Sequence, residues 1–178
     1  MLGNFFRRLF YFVLLLALQV LIFNHVQILG YATPMICLYF ILLFPPSASR
    51  TVVVAWGFLM GLCQDIFTNT PGMNAAALTL LGLLQPVLYK AFLAKDSDED
   101  ESELLPSARV MGWPAFLRYL LVAVLIQQVV FYLLEAFSFF HWQDMLINIL
   151  GGSLMSLLFI AAIESVRIGG ASKQQGRA

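Results

Sequence analysis

Apolar runs of about 17 to 22 residues, separated by short polar breaks, divide almost the whole chain. A run of that length crosses a hydrocarbon core of roughly 30 Å as a helix rising about 1.5 Å per residue. The runs lack the two-residue alternation of barrel strands. They predict an all-α polytopic membrane helix bundle with six transmembrane helices, at 5–23, 28–44, 51–67, 73–93, 116–137 and 144–166. The second and third are short, which leaves tilting or an incomplete crossing of one of them open. The whole of 1–178 reads as one integral membrane domain, with 167–178 as a tail.

Charge placement tests that count. With six crossings and the N-terminus inside, Arg7, Arg8, Arg50, Lys90, Lys95, Arg109, Arg118, Arg167, Lys173 and Arg177 all fall on the inner side. These are all the Lys and Arg of the chain, and the outer links "NHVQ", "TNTPG" and "SFFHWQ" have none. Inner loops carry the basic residues of membrane proteins. Removing one span would scatter the charges over both sides, so the pattern supports the count and cytoplasmic termini together.

Composition agrees: 61% of the 178 residues are hydrophobic and 11% charged, with a mean hydropathy of +0.85. A water-soluble surface cannot be made from that balance. Two arginines precede the first run, as in a secretory signal, yet the run is too long and has no small-residue cleavage site. It reads as a retained span with Phe5, Phe6 and Tyr11 near the inner interface. Cys37 and Cys63 lie in apolar runs and read as buried thiols. The segment 95–113 contains "DSDEDESE", whose six acids repel one another, so it is expected to be a disordered cytoplasmic loop. A calcium loop counted from Asp96 would need Gly and Glu where Glu101 and Ser107 stand.

The remaining polar residues sit among small ones. Gly57, Gly61 and Asp65 recur every four residues and share one face of the third helix. The glycines let a neighbouring backbone approach, and the stripe carries Asp65 into the same interface. Near the outer end of its own helix a carboxylate faces the negative end of the dipole and needs donors. Thr68, Asn69, Thr70, Asn74 and the N–H groups opening the fourth helix are the candidates. Thr70 followed by Pro71 reads as an N-cap with proline at the first helical position, and Gly72 as the residue that lets the chains come close. Asp65 is then a staple of the outer turn, with an ion or substrate role as the competing reading. Gln19, Gln64, Gln85, Gln127 and Gln128 read as amides bonding across helices. Pro86 is expected to kink the fourth helix, and "GGSLMS" at 151–156 to give the sixth a close-packing face. Glu135, Asp144 and Glu164 read as interfacial acids solvated at span ends.

Catalysis finds little support. His25 and His141, the two histidines, fall in outer links, and no metalloprotease, nucleophile-elbow or phosphate-loop motif is present. No cofactor or metal is implied, and nucleic-acid binding is disfavoured by sparse basic residues beside an acidic loop. The stretch "GYATPMICLYFILLFP" followed by "GFLMGLCQDIFTNTPGMNAAAL", 30–78, resembles MreD, a rod shape-determining protein family of the bacterial inner membrane. The resemblance rests on Gly57, Phe58, Gly61 and Asp65, with Pro71 and Gly72 beyond, and covers somewhat under half of the chain. It implies a non-enzymatic subunit of the cell-elongation machinery. Its partners would be MreC, which has one span and an extracytoplasmic domain, the actin-like MreB, and the synthase RodA with its transpeptidase partner. The family is also similar to the S components of energy-coupling-factor transporters, which implies a six-helix fold and supplies the alternative function of vitamin or metal uptake.

Overall fold

A computed structural model describes residues 2–23, 34–45, 47–93, 106–135 and 142–175. The described residues are helical, without strands. The elements are α1 (Leu2–Leu18), continued by a π-helical turn at Gln19–Phe23, α2 (Leu38–Leu42), α3 (Arg50–Thr68), α4 (Met73–Phe92), α5 (Ala108–Met111), α6 (Trp113–Glu135) and α7 (Trp142–Gln175). Five of them, α1, α3, α4, α6 and α7, are long and apolar enough to cross a membrane. Their outward faces carry large apolar side chains such as Phe10, Phe58, Ile66, Leu150 and Leu154, as lipid-facing helices do. The chain is therefore a polytopic membrane protein.

The second predicted span is not one helix, and this corrects the sequence expectation. Residues 28–33 lie outside the described residues. Pro34–Ile36 belong to no helix, Leu38–Leu42 form little more than one turn, and the chain then leaves the helix before Pro45. Proline supplies no N–H to a ladder and pushes its predecessor out of helical geometry. What replaces the helix is a buried segment lying antiparallel along α1. Gln19 bonds Pro34 and Ile36, the Cys37 thiol reaches the Leu15 carbonyl at 3.8 Å, Phe12 meets Phe40 at 5.6 Å, and Arg8 lies 4.8 Å from the Phe44 ring. Trp56, early in α3, touches Phe5, Phe12 and Phe40. The N-terminal ends of α1 and α3 thus share one end of the bundle.

Unwound backbone at membrane depth needs partners that lipid cannot supply. Gln19 acts as a clamp: its Nε2 donates to Pro34 O at 2.9 Å, and its Oε1 accepts from Ile36 N at 2.7 Å. Met35 N donates to Ser156 Oγ at 2.8 Å, and Gln85 Nε2 donates to Phe44 O at 2.9 Å. These amides hold broken backbone, where the expectation was side-chain bonding between intact helices.

Two further boundaries move. The predicted loop 95–113 is ordered over its last part: Pro106, Ser107 and Ala108 are buried, and Ser107 caps α5 by accepting from Val110 N at 3.4 Å. Residues 94–105, with the acidic run, lie outside the described residues. The predicted tail from 167 is helical to Gln175. In α7, Ile149, the adjacent Gly152 and Ser153, Ser156, Ile160 and Glu164 are buried along one face, so the small residues Gly152, Ser153 and Ser156 of the predicted face pack inward. α4 continues unbroken through Pro86.

Candidate functional site

The α3–α4 hairpin is built on three glycines. A methyl group at Gly61 would lie 2.4 Å from Ala75 Cα and from Asn74 O, and one at Gly57 would lie 2.7 Å from Leu78 O. From the other side, one at Gly82 would lie 3.2 Å from Val53 O. The backbones of α3 and α4 are in direct contact, as small-residue stripes allow. That contact delivers Asp65, 4% exposed, to the first turn of α4.

Asp65 receives a full set of donors there. Its Oδ1 accepts from Thr70 Oγ1 at 2.9 Å, Asn74 N at 2.9 Å and Asn74 Nδ2 at 3.0 Å, and its Oδ2 accepts from Ala75 N at 3.0 Å. The unfavourable dipole of its own helix is offset by the N-terminus of the next, whose free N–H groups favour a negative charge. The carboxylate does for α4 what an N-cap does, from a neighbouring helix.

This corrects the cap assignment. α4 begins at Met73 with Gly72 in the cap position, and no side chain of the cap residue bonds into the helix. The Thr70 hydroxyl is drawn to Asp65 and to Thr68 Oγ1 instead. Gly72 is needed for its φ of +81°, since an added methyl would meet nothing within 4 Å. Close approach belongs to Gly57, Gly61 and Gly82. Asn69 does not serve Asp65 through its side chain: it ends α3 in a left-handed conformation, φ 56°, and its N–H donates to the Asp65 carbonyl. Pro71 is exposed in the turn. Of the predicted set, the structure gathers Gly57, Gly61, Asp65, Thr70 and Asn74 into one unit. His25 and His141 lie outside the described residues.

A second buried carboxylate was missed. Glu164 is fully buried, against the expectation of an interfacial acid. Its Oε1 accepts from Ala108 N at 3.0 Å. Its Oε2 accepts from the Tyr39 hydroxyl in a short hydrogen bond and pairs with Arg167 Nη1 at 3.0 Å. Arg167 also donates to the Tyr39 oxygen at 2.9 Å. One side chain thereby ties α2, α5 and α7 together at the end of the bundle that carries Arg8 and Phe44. The signal was present in the sequence: continuing the buried stripe of α7 from Ser156 and Ile160 by four residues arrives at Glu164, with Arg167 three further on the same face.

Both acids have their oxygens occupied by structural donors, so the arrangement positions helices. Cys37 is buried and Cys63 half-buried, and both are free thiols. Among the described residues no group of three or more His, Cys, Asp or Glu is placed to hold a metal ion. Comparison with protein-family models, with curated proteins and with solved structures returned no match.

Proposed function

We propose that the chain is a non-enzymatic subunit of the bacterial cell-elongation machinery, similar to MreD, resident in the inner membrane and bound to an MreC-like single-span partner. The observation that carries this reading is the Gly57, Gly61 and Asp65 unit. Of the residues that resemble the family, Gly57, Gly61 and Asp65 are ones that lock α3 to α4, so this part of the likeness extends from letters to a physical device. The occupied oxygens of Asp65 and Glu164 favour a scaffold over an enzyme. We take the bundle to cross six times, with both termini cytoplasmic. A sixth crossing is supported by residues 34–44 retracing α1 from Gln19 to Arg8, and the orientation by the placement of all ten Lys and Arg on one side in that topology.

In this role the protein joins MreB filaments, MreC, and RodA with its transpeptidase partner during lateral wall growth. Affinity purification of the tagged protein from its native membranes in mild detergent, with mass spectrometry of near-stoichiometric partners, tests the reading. The expected partner is a single-span protein with an extracytoplasmic domain, accompanied by wall synthases. Recovery of paired ATPases with a coupling membrane subunit would overturn the reading in favour of a transporter S component.

A further inference from the structure

Arg167 spends only one corner of its guanidinium on the Glu164 cluster. Its Nη1 donates to both the Tyr39 oxygen and Glu164 Oε2, while Nε and Nη2 make no hydrogen bond among the described residues. The side chain is 29% exposed, against none for its partner. A guanidinium carries five N–H donors in one plane, so the same group can hold a buried carboxylate with one corner and a second anion with the rest. The bond to Glu164 also fixes the arginine, so its outward edge is held in place before any ligand arrives.

Helix α1 brings further groups to the same level. The Tyr11 hydroxyl lies within electrostatic reach of Arg167. Arg7 stands one turn before Tyr11 on the same face, is exposed, and has no ion-pair partner among the described residues. Arg7 falls just inside the start of the apolar span Phe5–Ile22, and Arg167 just before the end of Met145–Gly169. With Arg8 over Phe44 and Arg167 on Tyr39, these span ends belong to one end of the bundle, so both guanidiniums stand at headgroup depth. Phe10 and Leu14 continue the exposed face of Arg7 and Tyr11 toward the hydrocarbon, and Val166 is exposed beside Arg167.

Charge and surroundings select the occupant. Among the described residues the acid at this end is Glu164, which is buried and already engaged, so no carboxylate there competes for Arg7 or for the outward edge of Arg167. Two guanidiniums and a phenol match the oxygens of a phosphate. Inorganic phosphate has the same oxygens but no chains to lie on the apolar side chains alongside, whereas basic pockets between membrane helices take anionic lipid headgroups. We propose that Arg167, Tyr11 and Arg7 bind the phosphate of an anionic phospholipid in the leaflet at this end of the bundle, between α1 and α7. The lipid then sits on the outer edge of the arginine whose inner corner holds Glu164. The proposal is independent of the elongation reading.

Thermal unfolding of the delipidated full-length protein in a neutral detergent tests it, with phosphatidylglycerol, phosphatidylcholine or inorganic phosphate added at equal ionic strength. The expected result is a midpoint that rises by several degrees with phosphatidylglycerol, saturating with concentration, and stays put with the other two. Arg7→Gln should leave the midpoint without lipid unchanged and remove at least half of the rise. Arg167→Lys, which keeps a charge for Glu164 but loses the second edge, should diminish the rise as well. Arg118→Gln, which removes an exposed cation of α6, should keep it. An equal rise with phosphatidylcholine or inorganic phosphate would overturn the proposal. So would a rise that Arg7→Gln leaves whole, or one that Arg7→Gln and Arg118→Gln diminish alike.

Discussion

Asp65 shows how a single acid can be worth more to the helix it faces than to the one it belongs to. Asp65→Asn keeps one acceptor oxygen but turns an NH₂ toward the N–H of Ala75 or toward the donors on Oδ1. At least one donor is then left opposed, at a cost of about 1–3 kcal/mol for each. The thermal midpoint of the purified variant should fall while the membrane topology, read by cysteine accessibility, stays unchanged. A variant that folds and binds its partner normally yet loses all function would refute a purely stapling role. Arg167→Leu is expected to be more severe, because it leaves the buried Glu164 charge with only neutral donors; with the arginine half-exposed, the loss falls toward the lower end of the about 3–5 kcal/mol for breaking a buried pair. Tyr39→Phe removes one hydrogen bond from the same carboxylate and should cost about 1 kcal/mol. Midpoints of the two variants, measured side by side, check that order.

Within the α3–α4 hairpin the three glycines differ in what a methyl group would strike. At Gly61 it meets two backbone atoms at 2.4 Å, at Gly57 one at 2.7 Å, and at Gly82 the nearest lies at 3.2 Å. Backbone cannot swing away as a side chain can, so overpacking of about 1–3 kcal/mol falls hardest on Gly61→Ala, less on Gly57→Ala and least on Gly82→Ala. Denaturant titration of the three variants tests this ranking, and equal losses would contradict the direct backbone contact. The hairpin was legible because a four-residue stripe of small residues ending in an acid has a direct helical meaning. Its turn was less so: Thr70-Pro71 has the local form of a cap, and only the approach of Asp65 from another helix redirects the threonine. The broken element at 34–45 was read as a continuous span, since hydropathy reports burial and length and is silent on whether the backbone is wound.

At the scale of the molecule, five long helices and the basic end of the bundle follow from apolar run length and charge placement, which act on whole segments. The glutamines and Glu164 were harder to place, because an amide or a carboxylate in a greasy run has the same appearance whether it bonds a helix, a broken strand of chain or an ion. Distances of 17, 41 and 121 residues separate Gln19, Gln85 and Ser156 from the backbone atoms they hold. Those separations have a consequence for how the protein is made. When residues 34–44 leave the ribosome, Gln19 has already been synthesised, whereas Gln85 and Ser156 have not. The segment cannot rest in lipid as a finished span, and its burial is completed last, when α7 arrives. In a Cys63→Ser background, Cys37 should therefore react readily with N-ethylmaleimide in a chain ending at 141 and be protected at full length. Equal protection of the two chains would mean that the segment is sealed before its distant partners exist. Protection gained only with α7 would show that this helix, 121 residues away from the backbone it holds, is what closes the unwound segment.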